Sequence, residues 1–222
     1  MQNARKRSSL KKSASFTLAT IMLCILLLSL FSPRVKAFAY VYDGIIDGAK
    51  TITAEGTFHV IGTHSVDSSD GLIKINTSAP VTLVLDDASY TTKGSHGTNI
   101  ISPLALLDSA NVTIIIMDGT TNSFICDGTS YNTNAGQAGI SVPLNATLTI
   151  KGEANNTGRL NAWSGDYSAG IGGGANSTCG TITIEGGNID AQARKKSSSA
   201  GAENGAGIGG GGGNTVATIC MR

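Results

Sequence analysis

The chain has 222 residues, of which 5% are aromatic and 29 are glycine. This length allows about one domain with a continuous core. A composition this poor in aromatic residues and this rich in glycine disfavours a globular sandwich. It favours a narrow stacked core of Val, Ile, Leu and Ala, provided that periodicity distinguishes the chain from low-complexity sequence.

Residues 1–39 have the pattern of a secretory signal peptide. Basic residues precede an apolar run over residues 18–31, and small residues at Ala37 and Ala39 predict cleavage after Ala39. An uncleaved membrane anchor is the alternative, although the run is shorter than the ~20 apolar residues that span a bilayer. The leader therefore predicts a protein that is secreted or displayed on the cell surface, with no membrane attachment after cleavage. A leader this long and basic is typical of a Gram-positive bacterium.

Removal of this leader changes the charge balance. The leader holds seven of the 16 Lys and Arg residues and none of the 15 acids, so residues 40–222 carry a net charge of −6. Phosphate binding requires a basic surface. The sequence therefore excludes nucleic acid as a partner and is compatible with an extracellular protein that binds a cation.

Residues 40–71 precede the regular repeats and form either an N-terminal cap or the first coil. Two strand-like segments lie here, at residues 51–53 and 58–61. A cap would cover the unpaired strand edges at the end of a stack. The regular repeats then extend over residues 72–222.

Five short segments with a central threonine recur along these repeats. Apolar residues flank each threonine, and successive threonines are 31, 36, 34 and 35 residues apart. Because alternate side chains of a strand face opposite ways, the apolar residues are predicted to point inward and the threonines outward. The central threonines are Thr82, Thr113, Thr149, Thr183 and Thr218.

A second segment recurs between these threonines. Residues 158–162 and 187–191 both begin with glycine and end with an apolar residue, a polar residue and alanine. By contrast, residues 124–128 are predicted to begin a loop that continues to Gln137. Each repeat thus contains three short segments with no helical periodicity.

A glycine-rich block of six residues is the most informative repeat. Residues 169–174 and 206–211 share the sequence AGIGGG, 37 residues apart. We expect Ile171 and Ile208 to stack inward, while the glycines allow positive φ at a tight corner. A flexible linker is the alternative, but a linker would not keep isoleucine in register. The period and the three segments per repeat predict an all-β, right-handed parallel β-helix, in which each coil buries its inner face against its neighbours.

The last segment of the chain ends within the fifth threonine-centred strand, at Arg222. No cap follows, which predicts either a truncated chain or an edge that a partner covers. Cys179 and Cys220 are expected at nearly equivalent coil positions, where they would stack, pair or remain buried thiols. The cysteine spacing does not match a structural metal site.

Carboxylates in the turns are candidate calcium ligands. Asp86, Asp87 and Asp118 follow predicted strands, and Asp67 and Asp70 fit the same pattern. Calcium takes several oxygen ligands, often turn carboxylates and carbonyls. The alternative is that aspartate occupies these turns for backbone reasons alone. Calcium is the one cofactor that the sequence suggests.

Two aromatic residues are candidate ligand-binding side chains. Trp163, the only tryptophan, and Tyr167 precede the first glycine-rich block. Exposed aromatic rings commonly stack on sugars, whereas the alternative is that Trp163 packs over the side of the coils. Arg194, with the lysines after it, is predicted to lie in a solvated loop, and His59 to be an outward strand residue. No nucleophile-elbow, zinc-protease or phosphate-loop motif is present.

The repeats resemble known secreted proteins. GAGIGGG at residues 205–211 and GTITIEGGNIDA at residues 180–191 are similar to repeats in surface proteins of Gram-positive gut and soil bacteria. GTFHVIG, VTLVLD and TTNSF, at residues 56–62, 81–86 and 120–124, resemble a clostridial family of β-helical carbohydrate-binding domains with a pectate-lyase-like fold. The resemblance spans residues 56–219 and implies binding of plant polysaccharides such as cellulose and pectic acid, with calcium. It transfers no individual calcium ligand, because no metal motif of the family matches here.

Two function classes fit these observations. A long repetitive coil face suits non-catalytic binding of a polysaccharide or cell-surface glycan, as in an adhesin. A polysaccharide lyase or hydrolase of the β-helix class is the alternative, and it would need clustered carboxylates or an Arg or Lys base. Few outward basic residues are predicted, which favours binding. A structural stalk is a third possibility, and an ice-binding face is disfavoured because outward threonines are expected only once per coil.

Overall fold

A computed structural model describes residues 40–66, 72–94, 101–128, 137–194, 205–212 and 218–221. From Val41 onward, the described residues belong to one compact unit. The predicted signal peptide lies outside the described residues, as do Asp67, Asp70 and the lysines after Arg194. No helix in the described part of the chain is long and apolar enough to cross a bilayer.

All regular structure in the described ranges is β-strand, as the lack of helical periodicity predicts. The strands are short, because each spans only one side of a narrow coil. They are β1 (Gly44–Ile46), β2 (Lys50–Ile52), β3 (Gly56–Val60), β4 (Thr63–Val66), β5 (Ile73–Ile75), β6 (Pro80–Leu85), β7 (Ser89–Gly94), β8 (Leu104–Leu106), β9 (Asn111–Ile116), β10 (Thr121–Gly128), β11 (Ile140–Ser141), β12 (Thr147–Gly152), β13 (Arg159–Trp163), β14 (Ile171–Gly172), β15 (Thr181–Ile184), β16 (Asn188–Gln192), β17 (Ile208–Gly209) and β18 (Thr218–Met221).

These strands form three parallel sheets. Sheet 1 has the order β1-β3-β6-β9-β12-β15-β18, sheet 2 the order β4-β7-β10-β13-β16, and sheet 3 the order β2-β5-β8-β11-β14-β17. From β3 onward the chain passes from sheet 1 to sheet 2 to sheet 3, so each coil adds one strand to each sheet. The protein is therefore a right-handed parallel β-helix, as its sequence predicts. The first coil, with β1 and β2, has no strand in sheet 2.

Sheet 1 contains the threonine-centred segments in register. Its paired threonines form one column, and the apolar residues between them are buried in the core, as predicted. The column also extends one coil toward the N-terminus, to β3. Its threonines are Thr57, Thr82, Thr113, Thr149 and Thr183.

Two expectations about these threonines are wrong. Thr218 pairs with Thr181 rather than with Thr183, because this register aligns the apolar residues of β18 and β15. The outward threonines are also not limited to one per coil. Buried residues alternate along β12 and β15, so Thr147 and Thr181 face outward beside the first column and pair with each other.

The glycine-rich blocks stack as predicted. Ile171 pairs with Ile208, and Gly172 with Gly209, in the parallel ladder between β14 and β17. Ile171 is fully buried and Ile208 packs against the same core. Gly172 and Gly209 have φ angles of 134° and 138°, which side-chain-bearing residues rarely adopt. The stacked isoleucine pair and the glycine corner are therefore both confirmed.

The loop predicted at residues 124–128 is instead part of β10. This strand pairs with β7 on one side and with β13 on the other. Phe124 points into the core and stacks on Tyr90, with 5.7 Å between the ring centroids. The prediction failed because strand formation here depends on the two neighbouring coils rather than on a strong local propensity.

Tyr90 closes the core next to the first coil, where sheet 2 has no strand. Its ring is fully buried. Its hydroxyl donates a hydrogen bond to the Ile61 carbonyl at 2.8 Å and accepts one from the Gly48 N–H at 3.1 Å. Burial raises the pKa of Tyr90 above its ordinary value of 10.0. The first coil provides no strand of sheet 2 beside these two backbone groups, and the Tyr90 hydroxyl supplies their hydrogen bonds instead.

Asn122 is a fully buried polar residue that joins three successive coils. Its Oδ1 accepts a hydrogen bond from the Ala88 N–H at 2.9 Å. Its Nδ2 donates to Thr120 Oγ1 at 2.9 Å and to the Arg159 carbonyl at 3.3 Å. The side chain therefore satisfies the Ala88 N–H, which lies outside the strands at the corner between sheet 1 and sheet 2.

The expectation that Cys179 and Cys220 occupy equivalent positions is wrong. Cys220 pairs in register with Thr183 within the ladder of sheet 1. Cys179 precedes β15 and is buried as a thiol without a disulfide. The alternative of a buried unpaired thiol is confirmed for Cys179.

Candidate functional site on the outer face of sheet 2

A polar surface lies on the outward side of β10, β13 and β16, and we call it the sheet 2 face. Leu160 and Ala162 are buried, so the intervening residues of β13 point outward. Parallel pairing places the matching residues of β10 and β16 beside them. The face consists of Thr121, Ser123 and Ile125 on β10, Arg159, Asn161 and Trp163 on β13, and Asn188, Asp190 and Gln192 on β16.

Hydrogen bonds hold the polar side chains of the sheet 2 face in defined positions. Arg159 donates from Nε to Asn161 Oδ1 at 2.9 Å and from Nη2 to Asp190 Oδ2 at 3.4 Å. Asn161 Nδ2 donates to Ser123 Oγ at 3.3 Å, and Gln192 Nε2 donates to Asp190 Oδ1 at 2.8 Å. The Arg159–Asp190 ion pair is partly exposed, so its contribution to stability is small. The network's main effect is to orient planar polar groups across three coils.

Trp163 lies at one end of this face. The guanidinium carbon of Arg194 lies 4.4 Å from the centroid of the Trp163 ring, which is a cation–π contact. The indole Nε1 is buried and has no hydrogen-bond partner among the described residues; a buried donor that is left unpaired costs about 1–3 kcal/mol. Arg194 follows β16 outside any strand and is partly exposed, which agrees with the predicted loop, but its side chain also covers an aromatic ring.

Tyr167 lies in the loop after β13. Its φ angle of 64° is in the left-handed region, and its carbonyl accepts a hydrogen bond from the Gly212 N–H at 2.8 Å. No ring contact joins Tyr167 to Trp163, both of which the structure describes. The two aromatic residues predicted to bind a ligand are therefore near each other in the chain, but Arg194 and not Tyr167 is the partner of the indole.

Asp86 and Asp87 form separate contacts at the end of β6. The Asp86 carboxylate lies 3.0 Å from Nε2 of His59, which is a partly exposed outward residue of β3, as predicted. Tyr42 stacks on the same imidazole, with 4.7 Å between ring centroids. Asp87 has a φ of 50° and accepts a hydrogen bond from the Thr121 N–H at 2.9 Å. Both carboxylates thus stabilise the turn between sheets 1 and 2.

Asp118 lies in the equivalent turn of the next coil and binds the loop that contains Asn155 and Thr157. Its Oδ1 accepts hydrogen bonds from the backbone N–H and hydroxyl of Thr157 at 3.0 and 3.1 Å. Its Oδ2 accepts from the backbone N–H and side-chain amide of Asn155 at 3.0 and 2.8 Å. These bonds, that from the Thr157 N–H first, hold the pKa of the Asp118 carboxyl below its ordinary value of 3.8.

The lowered pKa of Asp118 predicts a loss of stability in acid. Because the folded state binds this proton more weakly than the unfolded state, the contribution is present above the unfolded pKa and is lost as the pH falls through the folded pKa. Urea unfolding of the protein between about pH 6 and 2 measures this dependence. Asp118→Asn is expected to flatten the acid limb, whereas Glu55→Gln, at an exposed residue, is the control. An equally steep acid limb in Asp118→Asn would contradict the assignment.

A calcium site at Asp86, Asp87 and Asp118 remains a prediction. Within the described ranges, no group of three or more His, Cys, Asp and Glu side chains could hold a metal ion. Each of the three aspartates already accepts a hydrogen bond or contacts a histidine within the protein. Their local roles are those of turn residues.

Sequence reasoning did not identify most of the sheet 2 face. Arg159 and Asp190 lie in the two recurring segments at residues 158–162 and 187–191, and strict alternation along those segments would have placed both residues outward. Arg194 carried no such signal, because its contact with Trp163 depends on where the chain leaves β16. The outward positions of the network residues could thus have been predicted from alternation, whereas the sequence contained no indication of the cation–π contact.

The fold and this face together define a parallel β-helix with an ordered polar surface on one of its sheets. A comparison with protein-family models, with curated proteins and with solved structures found no match to this chain. The resemblance to clostridial carbohydrate-binding domains therefore remains an expectation from the sequence.

Proposed function

We propose that this protein is a secreted or cell-surface, non-catalytic polysaccharide-binding protein of a Gram-positive bacterium, and that the sheet 2 face is its binding surface. The observation that carries the proposal is the indole of Trp163 beside an ordered row of planar polar side chains. A sugar has apolar C–H faces that stack on aromatic rings and hydroxyls that need paired donors and acceptors.

The geometry of the face supports a polymer as the ligand. The same outward positions recur from coil to coil, and neighbouring strands of a parallel sheet lie about 4.8 Å apart. A chain of sugars lying across these coils contacts several polar residues at once, so that many weak contacts add up. The network among Arg159, Asn161 and Asp190 reduces the entropy that these side chains lose on binding.

The Nε1 of Trp163 has no hydrogen-bond partner among the described residues, and a ligand can supply one. A sugar that displaces the Arg194 guanidinium from the ring takes its place against the indole and offers a hydroxyl to Nε1. The buried donor then gains the partner that it lacks in the free protein. The displaced guanidinium remains available as a donor to the same ligand.

We expect Trp163→Ala to weaken polysaccharide binding about tenfold or more, since truncation of an aromatic residue that anchors a ligand typically removes over ~1.4 kcal/mol. Retention of the purified protein on insoluble cellulose, pectin and host glycans, with calcium and with a chelator, measures this loss. Thr113→Ala, on the outer side of sheet 1, is the matched control and should bind as the unaltered protein does.

The same experiment separates the alternatives. No retention on any glycan, with or without calcium, would count against the proposal. Retention that depends on calcium would support the predicted cofactor. Absorbance of unsaturated uronates released from pectin would instead support the alternative function, a polysaccharide lyase.

A further inference from the structure

A second concave surface lies on the outer side of sheet 3, with no residue in common with the sheet 2 face. It is a cleft of about 510 Å³ between β11 and the turn that follows β14. Ser141 and Leu144 line it from β11 and the segment after it, and Gly173, Ser177 and Thr178 line it from the turn after β14. Its volume is within the range of about 300–1,000 Å³ that is usual for small-molecule sites.

Beyond Lys74, the column of sheet 3 that contains Ser141 carries only small residues. Lys74 pairs with Ala105, Ala105 with Ser141, and Ser141 with Gly172 in successive ladders. The column ends in Gly172 and Gly209, which have no side chains. Both glycines are buried and do not line the cleft. Its lining comes instead from the segment around Ser141 and from the turn that follows β14.

The lining residues indicate which kind of ligand fits the cleft. None of the ten lining residues, all within the described ranges, is charged. An ion would lose its hydration there without gaining a counter-charge, which is strongly unfavourable. The hydroxyls of Ser141 and Thr178 can each donate and accept, as can the hydroxyls of a sugar. The Ser177 hydroxyl donates to the Ala175 carbonyl at 3.3 Å and can still accept.

Leu144 adds an apolar surface at the rim. Its side chain is 59% exposed, which makes it one of three exposed large hydrophobic residues in the described part of the chain. The C–H face of a pyranose ring packs on such a side chain without losing hydrogen bonds. Apolar and hydroxyl groups therefore converge in one cleft, as recognition of a sugar ring requires.

From this lining we infer that the cleft binds a single neutral sugar unit, as a site separate from the sheet 2 face. The uncharged lining favours a neutral sugar over a uronate, a phosphate ester or a metal ion. The inference does not depend on the proposed polymer-binding function, because a free monosaccharide can occupy the cleft alone.

Titration of the full-length protein with glucose, galactose, mannose and N-acetylglucosamine, followed by saturation-transfer NMR, tests the inference. At least one of these sugars is expected to bind saturably below about 50 mM, and glucuronate about tenfold more weakly or not at all. Ser141→Tyr, which fills the cleft, should abolish binding. Leu144→Ala should weaken it about threefold, and Ile45→Ala, at another exposed apolar residue, should not change it.

Trp163→Ala distinguishes this site from the sheet 2 face. Monosaccharide binding that survives Trp163→Ala but is lost in Ser141→Tyr supports the cleft, even if no polysaccharide is retained. Absence of saturable binding by all four sugars would overturn the inference. Binding that is unchanged in both Ser141→Tyr and Leu144→Ala would overturn it as well, and binding lost in Trp163→Ala alone would assign the sugar to the sheet 2 face.

Discussion

Gly170→Ala is expected to lower the free energy of unfolding by about 3 kcal/mol or more. A Cβ atom on Gly170 would lie 2.6 Å from the Gln192 nitrogen and 2.7 Å from the carbonyl oxygens of Ala162 and Gly207. All three are backbone atoms of packed strands and corners, and they cannot move aside as a flexible side chain can. Here the coil is so narrow that sheet 2 and sheet 3 meet backbone to backbone.

Urea unfolding followed by the fluorescence of Trp163 measures this effect, with the midpoint and slope determined together. Gly44→Ala is the matched control, because its Cβ would lie 3.5 Å from the nearest atom, in the Phe58 ring, and should change stability by less than about 1 kcal/mol. Similar small losses in both variants would show that the glycine block is not closely packed.

Asn122→Ala is expected to lower the free energy of unfolding by about 3 kcal/mol. The substitution leaves the Ala88 N–H and the Arg159 carbonyl without the partner that each has at present. The Ala88 N–H lies at the corner between β6 and β7, outside any strand, and the Asn122 side chain that bonds to it is fully buried. Each buried backbone group that loses its partner contributes about 1–3 kcal/mol.

A second variant separates the hydrogen bonds from the packing. Asn122 pairs with Leu160 in the next coil, so Asn122→Leu extends an apolar column at similar volume. We expect Asn122→Leu to remain destabilised relative to the unaltered protein, since the backbone groups stay unsatisfied. Thr121→Ala, at the adjacent exposed position, should lie within about 0.5 kcal/mol. If Asn122→Leu were as stable as the original, the three hydrogen bonds would not be what stabilises this corner.

The elements that were predictable share a local cause. A strand that is buried on one side must alternate, and a stacked coil must repeat the alternation at the coil length. Ile171 and Ile208 satisfied both conditions, and so did the threonine column of sheet 1. These residues were therefore placed correctly without any knowledge of contacts between coils.

The elements that were missed lack this local signature. Residues 124–128 contain one large aromatic residue among small and polar ones, and they form a strand because β7 and β13 supply partners on both sides. The partners of the Asp118 carboxylate were not foreseen either, because it accepts four hydrogen bonds from a loop 37 and 39 residues further along the chain. A local sequence pattern does not reveal contacts between residues that are this far apart in the chain.

The candidate site also contains residues that the sequence indicates and contacts that it does not. Trp163 was identifiable by its type, and the outward direction of Arg159 and Asp190 follows from alternation. The sequence by itself thus determined the coil, its period and which residues point outward, because these depend on the two-residue repeat of a strand. Only the tertiary structure decided that Arg194 covers the indole, that Asn122 bridges three coils and that a cleft lies between β11 and the turn after β14. Each of these depends on register between coils, which is set by packing over more than 30 residues of chain.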